Sequence, residues 1–109
     1  MPARSLLALL VAMSLPTTVR AENAQATLVI QNHRFEPAEL EVPAGQKVEL
    51  RVINEDSTAE EFESNELHRE KVVPGAKEVT VFIGPLRAGA YQFFGDFNPK
   101  TARGRIIAK

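Results

Sequence analysis

Hydrophobic and polar residues alternate with a period of two through several segments beyond residue 25. In QKVELRVIN, residues 46–54, Val48, Leu50 and Val52 fall on one face and Lys47, Glu49 and Arg51 on the other, the pattern of a strand with one buried face. KEVTVFIG at 77–84 repeats it with Val79, Val81 and Ile83. ATLVIQN at 26–32, AELEV at 38–42 before the turn PAG, AYQFFGD at 90–96 after PLRAG, and GRIIAK at 104–109 complete the predicted strands. In AYQFFGD, Tyr91 and Phe93 share one face and Phe94 takes the other, so core packing is their predicted role. No segment sustains a helical period and no repeat is present. Seven prolines and six glycines punctuate the runs, and the whole reads as an all-β chain of about seven to eight strands forming a β-sandwich.

The N-terminal segment follows a different rule. MPARSLLALLVAMSLPTTVRA places Arg4 ahead of an apolar run from Leu6 to Leu15, then Pro16 and a small residue at Ala21. This predicts a cleaved secretory signal peptide over 1–21, followed by one domain over 22–109 in the periplasm. The apolar run is too short to span a bilayer and no second one follows it, so no membrane insertion of the mature chain is expected. Without Arg4 and Arg20, eleven Lys and Arg stand against fourteen Asp and Glu, which gives no reason to expect a nucleic-acid partner.

The chain has no cysteine. Disulfides, zinc–thiolate and iron–sulfur sites are therefore excluded, as is blue copper, which needs a thiolate ligand. No nucleophile–His–acid set, Gly-rich phosphate loop or nucleotide motif is present, which argues against a hydrolase.

Half of the fourteen acids lie in EDSTAEEFESNELHREKVVPG, residues 55–75. Two readings stand for this stretch. Charge on a loop and edge strand keeps a sheet soluble and blocks edge-to-edge pairing. Alternatively, oxygen ligands and one imidazole form a metal site: Glu66, His68 and Glu70 share a face if this short segment is extended, as do Glu61 and Glu63 with Phe62 turned inward. Such a set suits a divalent ion such as Fe(II), Mn(II) or Zn(II). Asp96 is a weaker candidate, with a turn role as its alternative. His33, at the end of the first strand, is expected in a turn. Lys100, Arg103, Arg105 and Lys109 suit internal ion pairs or a partner surface.

The order F-x-P-x-x-L-x-V-P-A-G-x-x-V-x-L-x-V-x-N from Phe35 to Asn54, then Pro74-Gly75, A-G-x-Y-x-F from Ala88 to Phe93, and a final G-x-I-I resembles the cupredoxin family. The resemblance implies a Greek-key sandwich with copper at one end, held by an upstream His and a C-terminal Cys, His and often Met. By position those ligands fall near Glu60, Gly95, Asn98 and Arg103, none of which makes a blue-copper site. Within the family the chain resembles the EfeO-type and FtrB-like periplasmic domains of bacterial iron-uptake systems, through Glu61-Phe62-Glu63, Arg69-Glu70, Pro74-Gly75, and Asn98-Pro99 with Gly104. Some members carry a Cys or His in the loop where this chain has Gly95, Asp96 and Asn98. The resemblance adds Glu36, in the family's E-P pair, and Glu60 as further weak metal candidates. It implies binding of ferrous iron, with ferrous oxidation as the one enzymatic step in view, for delivery to an inner-membrane iron permease. Two alternatives stand beside it: a metal-free module docking on a periplasmic or membrane partner, and a copper carrier without a type-1 site.

Overall fold

The structure, a computed structural model, describes residues 8–15 and 23–109. The predicted leader falls largely outside the described residues. Its described part, residues 8–15, carries neither helix nor strand, and Leu9, Leu10 and Met13 are exposed.

Nine strands are present among the described residues: β1 Ala24–Gln31, β2 Arg34–Glu36, β3 Glu39–Val42, β4 Val48–Asn54, β5 Glu60–Ser64, β6 Arg69–Val73, β7 Glu78–Ile83, β8 Gly89–Gly95 and β9 Arg103–Ala108. They form a β-sandwich of two mixed sheets, one ordered β2-β1-β4-β7 and the other β3-β9-β8-β5-β6. The pairs β1–β4 and β3–β9 are parallel. The expected seven to eight strands thus become nine, and the acidic middle supplies two of them as the hairpin β5–β6.

The alternation in β4 and β7 does what its pattern dictates. Val48, Leu50 and Val52 are fully buried between the sheets, and Val81 and Ile83 pack beside them. Each such side chain contributes about 1.5–3 kcal/mol by leaving water. At the centre Phe35 meets Phe93 edge to face with centroids 5.1 Å apart, and Phe62 lies 5.4 Å from Phe93. Phe62 and Phe93 fix the inward face of β5 and β8, and hence also which residues of those strands face outward.

The loop between β4 and β5 is tied down by a buried amide. Asn54 Nδ2 donates to the carbonyls of Thr58 and Val73, at 2.9 and 3.1 Å. Gly75 lies so close to the Ser57 carbonyl that a Cβ there would collide with it, so the Pro-Gly turn and the acidic loop fit together only with glycine. At the other side of this loop, Asp56 accepts the backbone N–H groups of Asn32 and His33 at 2.8 and 2.9 Å. Both residues have left-handed backbone, φ 53° and 57°, as a tight β-hairpin turn requires. His33 has the turn position its sequence context predicts.

Candidate metal centre

β5 is buried on both sides, and its two faces do different things. Glu60, Phe62 and Ser64 point inward; Glu61 and Glu63 point out of the five-stranded sheet. Across the hairpin Glu63 pairs with Glu70, and Glu61 with Val72. Ligand oxygens of Glu61, Glu63 and Glu70 lie within 4.8 Å of one another. Like charges directly opposite on a sheet are destabilising, so the fold concentrates repulsion here.

The three carboxylates differ in exposure: Glu70 is exposed, Glu63 half-buried, and Glu61 only 8% accessible. Glu61 Oε1 is buried without a hydrogen-bond partner. Its carboxyl is pushed up to about 7, first by burial, then by the Glu70 carboxyl, with which it would share a proton, and by the charges of Glu70, Asp96 and Glu63. A buried acid among three others resists ionisation unless a positive charge joins them.

Glu60, one residue earlier, meets the opposite circumstances. It is 1% exposed, yet both oxygens are satisfied. Oε1 accepts the N–H of Glu61 and of Phe97, each at 2.9 Å. Oε2 accepts Asn98 Nδ2 at 2.6 Å. A Cβ on Gly95 would lie 2.6 Å from the Glu60 Cδ and 2.7 Å from the Ala102 Cβ, so the absence of a side chain at 95 makes the room that Glu60 fills.

The Cupredoxin-like domain family matches residues 4–108. The chain belongs to this family. An uncharacterized protein of Rickettsia prowazekii (strain Madrid E) is 43% identical over 83 residues, spanning 76% of this chain and 66% of that relative. Among solved structures, auracyanin A, a "blue" copper protein from Chloroflexus aurantiacus, superposes with a TM-score of 0.70 at 15% identity, covering 81% of this chain and all of that one. A purple cupredoxin from Nitrosopumilus maritimus gives 0.62 at 19% identity, over 77% of this chain and 99% of its own. At such identities these likenesses speak for the fold alone.

A type-1 copper centre does not fit this cupredoxin. Of the four positions where the resemblance places copper ligands, Glu60, Gly95 and Asn98 do converge, but as a carboxylate with three donors already bound to it and a glycine without a side chain. The fourth, Arg103, is exposed, and its Nε donates to the Pro99 carbonyl at 2.6 Å. No thiolate exists to complete such a site.

The remaining predicted ligands are dispersed. Residues 65–68 form a turn rather than an extended strand, with His68 in left-handed backbone at φ 53°. Leu67 tucks into the core and its N–H donates to Ser64 Oγ at 3.2 Å, which throws Glu66 and His68 out to solvent. The premise that Glu66, His68 and Glu70 lie along one extended face is therefore corrected: only Glu70 joins the cluster. His68 instead lines an open groove of about 400 Å³ together with Glu63, Glu70 and Arg69, whose Nη1 donates to the His68 carbonyl at 3.0 Å. Glu36 sits exposed on β2, in the other sheet. Asp96 is exposed but follows β8 directly, where its N–H donates to the Glu61 carbonyl at 3.0 Å.

The sequence makes Glu60 a weak ligand candidate and does not name Asn98 as its partner. The signal was present: with Phe62 inward, strand periodicity puts Glu60 inward too, and a buried carboxylate must find donors. Arg105 and Lys109, left open between two uses, pair with Glu39 and Glu41 of β3 at 3.0 and 2.8 Å.

Proposed function

We propose that this cupredoxin-like domain handles a hard metal cation at the cell envelope, binding it on the outer face of the five-stranded sheet through Glu61, Glu63 and Glu70. The observation that carries this reading is the buried, unpartnered Oε1 of Glu61, a residue whose carboxylate comes within 4.8 Å of those of Glu63 and Glu70. An all-oxygen anionic set selects for hard cations rather than for the soft ions that thiolates favour. Ferrous iron is the cargo the family resemblance favours, and the leader-like N-terminus accords with a periplasmic protein that passes iron to an inner-membrane permease. Carboxylates stabilise trivalent iron more than divalent iron because the attraction grows with charge, so a bound Fe(II) becomes easier for oxygen to oxidise.

Anaerobic calorimetry with Fe(II), with Mn(II) and Cu(II) as comparators, tests the reading. Saturable micromolar Fe(II) binding supports it, and oxygen consumption on admitting air then measures oxidation. Affinity no better than the millimolar level of scattered carboxylates refutes it.

A second reading is a metal-free docking module. Phe97 is 50% exposed at the end of the sandwich, beside a groove lined by His33, Pro99 and Thr101. It predicts that a partner is held equally well by protein stripped of metal.

A further inference from the structure

The end of β8 brings a fourth acid, Asp96, next to the cluster although outside its 4.8 Å set. Phe62 pairs with Gly95 and Glu63 with Phe94. One residue beyond the paired strands, the Asp96 N–H donates to the Glu61 carbonyl at 3.0 Å, which sets Asp96 beside Glu61 at the start of the turn. Directly opposed residues on one sheet face have Cβ atoms about 4.5–5.5 Å apart. The like-charged cross-strand pair Glu63–Glu70 thus has Glu61 beside it and, outside the 4.8 Å set, Asp96, whose charge acts on Glu61.

What holds Asp96 beside Glu61 is on the inner side of the strand. Glu60 Oε1 accepts the N–H of Glu61 and the N–H of Phe97. These are the peptide groups just after Glu60 and just after Asp96, so one buried oxygen ties together the two backbone points that flank the pair. Asn98 Nδ2 on Oε2 fixes the same loop from its far side.

We infer that Glu60 is a positioning residue for the cation site, and that the loop it latches presents Asp96 as a fourth anionic group which biases the site toward trivalent over divalent cations. This rests on the carboxylate-site reading above. The copper end of the fold has thus become a support for a site on the other face of the same strand. Coulomb energy scales with the product of the charges, so removing one carboxylate weakens a trivalent ion half as much again, in energy, as a divalent one.

The test measures affinity for Mn(II) and for redox-inert Ga(III), the latter buffered with nitrilotriacetate, in the full protein and in Asp96→Asn, Glu60→Ala and the double variant. The expected result is a loss of about threefold for Mn(II) and about fivefold for Ga(III) in Asp96→Asn. Glu60→Ala should reproduce that loss, and the double variant should add nothing to it. A merely structural Glu60 would leave the Ga(III)-to-Mn(II) ratio unchanged. Should Glu60→Ala not fold, Asn98→Ala removes one donor from the same latch and should lower the ratio in the same direction. Losses that multiply in the double variant, or an Asp96→Asn protein with unchanged affinities, overturn the inference while leaving the three-carboxylate site standing. Absence of cation binding by the unaltered protein overturns the underlying reading, and this inference with it.

Discussion

Glu60 and Asn98, 38 residues apart in sequence, are joined by a 2.6 Å hydrogen bond inside the sandwich, at the end where the family resemblance places copper. One consequence is that this domain's loop is closed by a carboxylate rather than by a metal. Glu60→Ala leaves two backbone N–H groups and an amide without their acceptor, one of them buried and two partly buried, at about 1–3 kcal/mol each at most. The expected outcome is a Tm lowered by more than about 10 °C. Glu60→Gln keeps an acceptor for the backbone pair and lets Asn98 reverse its amide, so most of the stability should return. Thermal unfolding in the presence of EDTA checks both. Equal melting of wild type and Glu60→Ala would show that the latch contributes nothing.

Gly95 tests the same contact from the other partner. Its Cβ position lies 2.6 Å from Glu60 and 2.7 Å from Ala102, and both neighbours sit in a packed interior. Gly95→Ala should cost about 1–3 kcal/mol or more by overpacking. Chemical denaturation gives the value, and a variant as stable as wild type would contradict the packing described.

The pH dependence of the metal-free protein follows from Glu61. Its folded value of about 7 lies above its ordinary 4.5, so between those limits the folded state holds more proton than the unfolded one. Stability therefore falls as pH rises through that window and is flat above it. Urea unfolding in EDTA from pH 5 to 8 should show this slope. Glu61→Gln should flatten it and be the more stable protein at pH 8. A slope that survives the substitution would have another origin.

Asp56 works in the opposite sense. The backbone N–H group of His33 is the chief cause that holds its carboxyl below the usual range, with that of Asn32 and the nearby imidazole assisting against a desolvation that raises it. Its contribution is present above the ordinary Asp value and is lost as pH falls through the folded one. Asp56→Asn should cost about 1–2 kcal/mol at pH 7 and remove that part of the acid-side loss. An unchanged acid limb in denaturation curves would dismiss the role.

Much of the sandwich was legible because its cause is local. Val48, Leu50 and Val52 announce a half-buried strand by period alone, and Glu61-Phe62-Glu63 announces two outward acids around an inward ring. The neighbours were not legible in that way. Nothing near β1 says that it lies parallel to β4, and nothing near Glu60 names Asn98 as its partner, because both depend on contacts distant in sequence. At one point strand spacing misleads, for a specific reason. Glu66, His68 and Glu70 have strand spacing, but burial of Leu67 with the Ser64 hydroxyl on its N–H turns the chain at 65–68 and separates the first two from the third.

That separation makes the central claim directly testable. Fe(II) affinity should be measured by anaerobic calorimetry in wild type, in the triple variant Glu61→Gln, Glu63→Gln, Glu70→Gln, and in the double variant Glu66→Gln, His68→Gln. The account predicts micromolar binding by wild type and by the double variant, with at least a hundredfold loss, about 2.7 kcal/mol, in the triple variant. Binding that survives in the triple variant, or is lost in the double one, would contradict it.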